Sequence, residues 1–340
     1  MSALRIALVA CANGLGHIRR MLSLSLALRD AGASPTLIAP KSAVQRLSEI
    51  YEVPLPNIIN HEITIRNAPW LKSDANCWTD DFPCLDSFDE VVSDNLIEIL
   101  ALRPRAWLSG TFFWHMALRQ FPQHRALRAE ELLALYRPRM IASKLFAAPY
   151  LAQKTELHKI GLYALGNIIR INGRRDILIS CGKGGGARAV TQRTLKKIAS
   201  GLQPGTSTLW VEPDLHRDEM PGWIRRASFK TTMYHRLAVA VIRPGVGTVT
   251  DCLAAGAKLF MFYESDDSEM QHNAEQITIN QLGNAFPSPE DAWFAALDYL
   301  SALQKKNLPP IIESTLDFNG ATQATSLLLA DQSRDCILNK

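Results

Sequence analysis

Residues 237–283 constrain the fold more than any other stretch of the sequence. They begin with an uninterrupted apolar segment, Leu237–Ile242, and a second such segment follows at residues 259–263. Short continuous apolar segments are typical of strands that are buried on both faces of a parallel sheet. Parallel neighbours need a crossover, and the residues between the two segments have helical spacing. The stretch therefore predicts a β-strand, a helix and a second β-strand of a layered α/β domain.

A glycine-containing turn separates the first of these strands from the helix. The turn contains Gly245 and Gly247, and Thr248 after them is a candidate N-cap. Backbone N–H groups at such a turn, together with the positive end of the helix dipole, suit the phosphates of a nucleotide. Asp251 lies one turn into the helix, where a carboxylate can accept hydrogen bonds from ribose hydroxyls. Glycines are common at βα turns, so it is their combination with Asp251 that predicts a nucleotide site.

Two further stretches add candidate binding residues. After the second strand, a segment rich in acidic and amide side chains contains Glu269, Gln271 and Asn273. Earlier in the chain, an apolar segment at residues 176–180 leads into a glycine-rich loop, which is a second candidate phosphate nest. This loop is not a P-loop, because no Lys-Ser/Thr pair follows its glycines. Its candidate residues are Gly182, Lys183, Gly184 and Gly185.

The amino-terminal half begins with the same α/β pattern. An apolar segment at residues 4–11 runs into a turn that contains Gly14 and Gly16, and a helical pattern follows. A dinucleotide site would have a third glycine at the position of Arg19 and an acidic residue after the next strand, where this sequence has Pro40. NAD binding is therefore disfavoured.

Residues 243–274 resemble the donor-binding segment of the GT-B glycosyltransferases, in the group that includes the UDP-glucuronosyltransferases and the peptidoglycan enzyme that adds N-acetylglucosamine to lipid I. In that family an acid on the helix holds the ribose, and Asp251 matches it as Asp where Glu is more usual. A pair of acidic or amide residues before Asn-Ala holds the donor sugar. Glu269 matches the first of the pair, and Met270 stands where the family usually has Gln. The loop at residues 181–187 resembles the loop whose amides meet the diphosphate.

The glycines at 14 and 16, followed by His17, resemble the GxGH motif of the family's acceptor domain. With Arg19 taken as the arginine that follows, they are also similar to the GxGHxxR pattern of the nucleotide-sugar hydrolase of pseudaminic acid synthesis. In both relatives this histidine lies in the interdomain cleft, at the reacting centre. An inverting transfer needs a base there, and imidazole has a suitable pKa near neutrality. The alternative for a histidine at a helix start is a capping or solvent-exposed residue.

A carboxylate partner for His17 is available at the end of another predicted strand, residues 88–93. Asp94 follows this strand, and side chains at the carboxyl ends of parallel strands lie at the same edge of the sheet. Asp94 either orients His17 or caps a helix at residues 96–102. Between residues 51 and 89 the pattern is weaker, and it predicts a short strand at residues 61–65.

Composition narrows the function classes. The chain has 340 residues, enough for two domains, with 47% apolar and 21% charged residues, as in a soluble globular enzyme. A net charge of +4 is too small to indicate nucleic-acid binding. The six cysteines form no CxxC pair, which favours reduced, buried thiols in the cytoplasm. The apolar stretch at residues 6–12 is too short for a signal peptide, and nothing reaches the length of a membrane span.

One segment is locally basic. Residues 103–144 contain eight Arg or Lys against two acidic residues, with leucines interleaved. Such a face suits peripheral contact with an anionic membrane, or an anionic acceptor. It is equally the pattern of a solvated helix face over a core. Nucleic acid is disfavoured, because no recognised binding module accompanies the charge.

The resemblance implies a GT-B fold, in which two Rossmann-like α/β domains with mainly parallel sheets face each other across a cleft. The expected boundaries are 1–165 for the acceptor domain, 174–318 for the donor domain and 319–340 for a C-terminal helix and tail, with a hinge within residues 161–173. The function that the resemblance implies is inverting transfer of a sugar from a nucleotide donor, a UDP-sugar, to a sugar or lipid-linked hydroxyl in cell-envelope polysaccharide synthesis. A metal and a cofactor other than the nucleotide sugar are not expected, since the chain has no Asp-x-Asp. The alternatives are a nucleotide-sugar hydrolase or epimerase and a non-catalytic binding protein.

Overall fold

The structure is a computed structural model, and it divides into two units. The first unit comprises Met1–Glu49, Val53–Ala164 and Leu316–Lys340, and the second comprises Ile50–Glu52 and Leu165–Thr315. The described residues are 3–65, 68–73, 77–165, 173–182, 185–265, 267–306 and 316–338.

Strands and helices alternate along most of the chain. In chain order the strands are β1 (Arg5–Ala10), β2 (Ser34–Ala39), β3 (Asn57–Asn60), β4 (Glu90–Asp94), β5 (Trp107–Ser109), β6 (Arg139–Ser143), β7 (Glu156–Ile160), β8 (Asp176–Ser180), β9 (Leu209–Val211), β10 (Ile224–Arg226), β11 (Leu237–Ile242), β12 (Lys258–Phe262) and β13 (Gly283–Phe286). The helices are α1 (Leu15–Asp30), α2 (Lys41–Tyr51), α3 (Trp114–Ala117), α4 (Gln123–Tyr136), α5 (Leu151–Lys154), α6 (Gly185–Ala199), α7 (Thr231–Tyr234), α8 (Val246–Ala254), α9 (Ser268–Ile279), α10 (Pro289–Lys306) and α11 (Gly320–Leu338). Two 3₁₀ helices cover Pro69–Lys72 and Ile97–Ala101.

The first unit contains a seven-stranded sheet in the order β3-β2-β1-β4-β5-β6-β7, and its strand pairs are parallel. The order of the strands reverses between β1 and β4. In open α/β sheets, ligands bind beyond the carboxyl ends of the strands at such a reversal. The register pairs Ala10 with Asp94 and Asp94 with Ser109, so these strand ends lie level with one another.

The second unit contains a six-stranded sheet in the order β10-β9-β8-β11-β12-β13, again with parallel pairs. Its order reverses between β8 and β11. The two glycine-containing turns singled out in the sequence follow these two strands, so they adjoin the position where a ligand is expected. The α/β class and the parallel sheets expected from the sequence are thus confirmed.

The strand predicted at residues 61–65 was wrong. The strand in this region is β3, Asn57–Asn60, and it ends before His61. The apolar side chains of Ile63 and Ile65 are buried, which explains the strand-like pattern. Their backbone has left the sheet, and the carbonyl of Ile63 instead accepts the N–H of Ala12 at 2.7 Å. This contact ties the segment to the loop after β1.

Helix α11 belongs to the first unit, where it packs on α1. Two glycines allow the chain to cross closely at its start. A Cβ on Gly320 would lie 2.4 Å from the carbonyl oxygen of Gly161, and a Cβ on Gly161 would lie 2.6 Å from the carbonyl oxygen of Asp317. Of the hinge predicted at residues 161–173, residues 166–172 lie outside the described residues. Residues 161–164 are fixed to the first unit through these contacts.

Three cysteines are buried free thiols, as their positions at strand ends and on a helix suggested. Cys11 follows β1, Cys181 follows β8 and Cys252 lies in α8. Burial raises the pKa of the Cys11 thiol to about 12, so it stays protonated and unreactive at neutral pH. Cys84 is an exposed free thiol. The cytoplasmic location predicted from these residues stays a prediction.

Candidate active site

His17 and Asp94 form a hydrogen-bonded pair in the first unit. His17 lies in the first turn of α1, directly after β1, and Asp94 is the last residue of β4. Their side chains meet at 2.7 Å, between Nδ1 of the histidine and Oδ1 of the carboxylate. This hydrogen bond is the contact expected if Asp94 orients His17, and that role stays a prediction. The helix cap is not its position, because the 3₁₀ helix that follows begins at Ile97 and its N-cap residue is Leu96.

Arg20, in the next turn of α1, donates two hydrogen bonds to the same carboxylate. Its Nε donates to Oδ2 of Asp94 at 2.6 Å and its Nη2 donates to Oδ1 at 3.0 Å. Burial would raise the pKa of the Asp94 carboxyl, but the charge of Arg20 and the hydrogen bond from His17 outweigh burial and hold that pKa below its usual range. Asp94 is therefore ionised and can only accept hydrogen bonds.

This arrangement fixes the tautomer of His17. Because Asp94 only accepts, Nδ1 of His17 carries the hydrogen, and in the neutral form of the ring the lone pair is on Nε2. The Asp94 side chain is fully buried, whereas that of His17 is 12% exposed. An oriented imidazole with a free nitrogen and limited access to solvent is the arrangement of a general base.

The arginine of the GxGHxxR pattern was assigned to Arg19 from the sequence, and that assignment was wrong. Arg19 donates from Nη1 to the carbonyl of Tyr163 at 2.9 Å and is 5% exposed. This hydrogen bond fixes the segment after β7 to α1. Counting from the glycines gives Arg20, and Arg20 contacts Asp94. The spacing was a sufficient signal, since Arg20 lies three residues after His17 on the same helix face.

Gly14 and Gly16 leave space beside this pair. A Cβ at either position would have no described atom within 4 Å. The backbone of Gly14 is extended, with φ of 178°, a conformation open to any residue. Among the described residues, no close packing contact requires glycine at either position. The lack of side chains leaves the backbone at the start of α1 accessible to a ligand.

An aromatic side chain that the sequence did not single out adjoins His17. Trp114, the first residue of α3, places its ring centroid 5.5 Å from that of His17. Phe112 packs edge-to-face on Trp114 at 5.0 Å. When the Asn95 amide is oriented to satisfy its hydrogen-bond partners, its nitrogen donates to the carbonyl of Phe112 at 3.0 Å and to that of Ser109 at 3.1 Å.

In the second unit, the turn after β11 differs from the prediction at one residue. Thr248 was predicted as the N-cap, but α8 begins at Val246 and Gly245 is the N-cap residue. The N–H of Gly245 donates to the carbonyl of Arg243 at 2.8 Å, which closes the turn early. Gly247 and Thr248 therefore lie in the first helical turn, where backbone N–H groups lack intrahelical acceptors. Both residues stay candidates for contacts with phosphate through the backbone.

The glycine-rich loop after β8 already has carboxylate partners. The N–H of Gly182 donates to Oε1 of Glu212 at 2.9 Å, and the N–H of Ala187 donates to Oε1 of Glu264 at 2.9 Å. Gly185 begins α6, while Lys183 and Gly184 lie outside the described residues. The sequence missed both glutamates, because the pairing depends on the strand order of the sheet.

Arg243 joins the two glycine-containing turns. Its Nε donates to Oε2 of Glu264 at 2.9 Å, and its Nη2 donates to the carboxylate of Asp267. Asp267 also caps α9 by accepting the N–H of Met270 at 3.1 Å. One partly buried guanidinium thus fixes the end of β11 to the loop after β12 and to the start of α9. The two carboxylates offset its charge.

The remaining predicted donor residues occupy different environments. Asp251 is 1% exposed and its Oδ2 accepts the hydroxyl of Tyr51, which belongs to the second unit, at 2.6 Å. Asn273 is also 1% exposed and its amide donates to the carbonyl of Pro244 at 2.9 Å, which braces the turn before α8. Glu269 lies in the first turn of α9. Gln271 is exposed and donates to a glutamate one turn further along α9.

The basic segment at residues 103–144 is partly used within the protein. Arg125 donates to the carbonyl of Trp70 at 3.0 Å and lies over its ring, and Arg139 lies over the ring of Trp107 at 4.4 Å. Leu127 on α4 is 57% exposed. The segment is therefore not a uniformly free basic face, and membrane contact through it stays a prediction.

Across the described part of the chain, no helix is long and apolar enough to cross a membrane. Among the residues that the structure describes, no three His, Cys, Asp or Glu side chains gather into a group that would hold a metal ion.

Comparison with known proteins gives matches in structure and none in sequence. No family model and no curated protein matches the chain. A solved structure of LpCGTa in complex with UDP matches with a TM-score of 0.59 at 14% identity, over 97% of this chain and 99% of that chain. The chain has the GT-B fold. The glycotransferase of kitacinnamycin matches with a TM-score of 0.57 at 14% identity, over 96% and 99% of the two chains. The glycosyltransferase VinC in complex with DTDP matches with a TM-score of 0.57 at 12% identity, over 97% and 100%.

These similarities establish the fold and leave the subgroup open. The expectation of a GT-B fold is confirmed, because both sheets, their parallel strands and nearly the whole length of the chain are matched. The narrower resemblances, to the UDP-glucuronosyltransferases, the peptidoglycan enzyme and the pseudaminic acid hydrolase, stay predictions.

Proposed function

We propose that this protein is an inverting glycosyltransferase that moves a sugar from a nucleotide donor, a UDP-sugar, to a hydroxyl acceptor. The observation that carries the proposal is the hydrogen-bonded group of His17, Asp94 and Arg20 at the strand-order reversal of the first sheet. An imidazole that a carboxylate orients at the carboxyl ends of the strands is suited to remove a proton from a hydroxyl group.

The reaction follows from the placement of this base. Nε2 of His17 takes the proton of the acceptor hydroxyl while the hydroxyl oxygen forms a bond to the anomeric carbon. The bond between that carbon and the diphosphate oxygen breaks on the opposite face, and its electron pair leaves with the nucleotide. Asp94 stabilises the imidazolium that forms, as Arg20 keeps the carboxylate ionised. One displacement at the anomeric carbon inverts its configuration.

The second unit is the proposed donor site. The first-turn N–H groups of Gly247 and Thr248, with the α8 dipole, would stabilise the departing diphosphate. In this proposal no metal ion is needed for that charge. Asp251 would hold the ribose and Glu269 the sugar. Two of the matched glycosyltransferases were solved with UDP and with DTDP, which supports a nucleoside diphosphate as the leaving group.

A second candidate is a nucleotide-sugar hydrolase that uses the same base. The match of Arg20 to the GxGHxxR spacing favours it. In that case His17 would activate water, and the donor would be consumed without an acceptor. For the transferase, the proposed acceptor is a sugar or a lipid-linked hydroxyl. The proposed location is the cytoplasm, with peripheral contact of residues 103–144 with the membrane.

One experiment tests the proposal and separates the two candidates. The protein is incubated with UDP-glucose, UDP-galactose, UDP-glucuronic acid or UDP-N-acetylglucosamine, and UDP release is followed with and without a panel of alcohols, phenols and sugars. Transfer predicts UDP release that depends on an acceptor and a glycosylated product of inverted configuration. Release without any acceptor supports the hydrolase. Binding of UDP without turnover of any of the donors contradicts both.

A further inference from the structure

The carboxylate of Glu264 lies at the crevice of the second unit where the donor is proposed to bind. Glu264 follows β12, and β11 separates β12 from β8 in the sheet. The Oε1 atom of Glu264 nevertheless accepts the N–H of Ala187 at 2.9 Å, and Ala187 belongs to α6, the helix that follows β8. The side chain therefore bridges the segments after β12 and β8, beyond the carboxyl end of β11. Ligands of open α/β sheets bind at such a position when the strand order reverses there.

The groups that hold this carboxylate are ones that proteins use for phosphate oxygens. Besides the N–H of Ala187 in the first turn of α6, the Nε of Arg243 donates to Oε2 of Glu264 at 2.9 Å. A Cβ on Gly186 would lie 3.6 Å from Oε1, so the carboxylate rests against the start of the helix. A helix N-terminus and a guanidinium are both favourable partners of an anion.

The charge of Glu264 opposes a second anion at the same position. Burial would raise the pKa of the Glu264 carboxyl, but the hydrogen bond and charge of Arg243 and the N–H of Ala187 outweigh burial and hold that pKa below its usual range. Asp267 also pairs with Arg243, so two carboxylates contact one guanidinium. A diphosphate that enters this crevice meets like charge at close range, which is unfavourable.

We propose that Glu264 is an internal competitor of the donor, whose carboxylate holds the place of a phosphate group beyond the end of β11 and leaves when the diphosphate binds. This inference rests on the proposed function, in which the diphosphate lies at the strand-order reversal of the second sheet. The exchange breaks no covalent bond, because the N–H of Ala187 and the Nε of Arg243 pass from a carboxylate oxygen to a phosphate oxygen. After transfer, return of the carboxylate to these donors favours release of the nucleotide.

The test compares ligands with and without phosphate on matched variants. UDP, inorganic pyrophosphate and uridine are titrated by calorimetry into the wild type and into Glu264→Gln, which removes the charge and nearly keeps the shape. Glu290→Gln is the control, because Glu290 is a carboxylate of the same unit that pairs with the exposed Lys197 at 2.6 Å. Thermal unfolding verifies that both variants are folded.

We expect Glu264→Gln to bind UDP and pyrophosphate at least about fivefold more tightly than the wild type does, which is the effect of one like charge at contact distance even in bulk water. Uridine should bind the two proteins equally, and Glu290→Gln should match the wild type with every ligand. Unchanged or weaker binding of UDP and pyrophosphate by folded Glu264→Gln, or an equal gain with uridine, overturns the inference.

A second readout uses the wild type and needs no variant. The backbone ¹⁵N–¹H resonance of Ala187, assigned through the Gly186–Ala187 pair by selective labelling, should shift when UDP or pyrophosphate is added and not when uridine is added. A resonance that does not respond to bound UDP overturns the inference. UDP binding that is the same in the wild type and in Glu264→Gln leaves the proposed function standing. If UDP binds neither protein, the proposed function is contradicted and the inference falls with it.

Discussion

Replacement of Arg20 by glutamine should lower stability in a way that depends on pH. The change removes the guanidinium that contacts both oxygens of Asp94 at 2.6 and 3.0 Å, and the carboxylate that remains is fully buried. Removal of one partner from a buried ion pair costs about 3–5 kcal/mol, because an uncompensated buried charge is left. We therefore expect the free energy of unfolding to fall by about 3–5 kcal/mol at pH 7.

The pH dependence follows from the direction of the pKa shift. In the wild type the pKa of Asp94 is depressed, so its contribution to stability is present above the unfolded pKa of about 4 and is lost as pH falls through the folded value. Without Arg20, burial should raise that pKa, and protonation of Asp94 should relieve the deficit of the variant in acid. Urea unfolding of the wild type and the variant at pH 7 and at pH 4.5 measures the loss of unfolding free energy at each pH.

The control is Arg29→Gln on the same helix, whose partner Asp30 is exposed. The Arg29 guanidinium lies 3.3 Å from the carboxylate in solvent, and an exposed pair contributes about 0–1 kcal/mol. A loss below about 1 kcal/mol in Arg20→Gln, or a loss equal at the two pH values, would refute the assignment of Arg20 as the partner that keeps Asp94 ionised.

Two further predictions concern single residues. Asp251→Asn should weaken UDP binding by about 1–3 kcal/mol in calorimetry, the cost of losing a charged hydrogen bond, and unchanged affinity would exclude Asp251 as the ribose ligand. Gly110→Ala should lower the free energy of unfolding by about 1–3 kcal/mol in urea, and a neutral effect would contradict the packing of this loop. Gly110 has φ of +150°, and a Cβ there would meet the side chain of Asn95 at 1.4 Å.

The sequence was sufficient to predict the buried parallel strands, and it offered contact between Asp94 and His17 as one of two alternatives. Continuous apolar segments gave the two strands β1 and β11, because buried parallel strands have no polar face to obscure the pattern. Asp94 could be placed near His17 because both follow neighbouring strand ends of one sheet. The error at residues 61–65 has the same origin, since Ile63 and Ile65 are buried without belonging to a strand.

Contacts that depend on tertiary packing could not be predicted. Glu212 and Glu264 meet the glycine-rich loop from strands and loops whose order is set by the whole sheet. Trp114 meets His17 through tertiary packing, and nothing in the sequence spacing relates the two residues. By contrast, Arg20 was accessible from the sequence, because the position three residues after His17 on a helix is fixed by helix geometry.

Removal of the acceptor's proton by His17 is tested by two measurements on His17→Ala, the rate of a single turnover and the affinity for UDP. We expect the single-turnover rate to fall by about 10² or more, since general-base catalysis contributes about 10²–10⁴. UDP affinity should stay within about twofold, because the donor is assigned to the other unit, in which His17 makes no proposed contact. A variant that transfers sugar at nearly the wild-type rate would contradict the account.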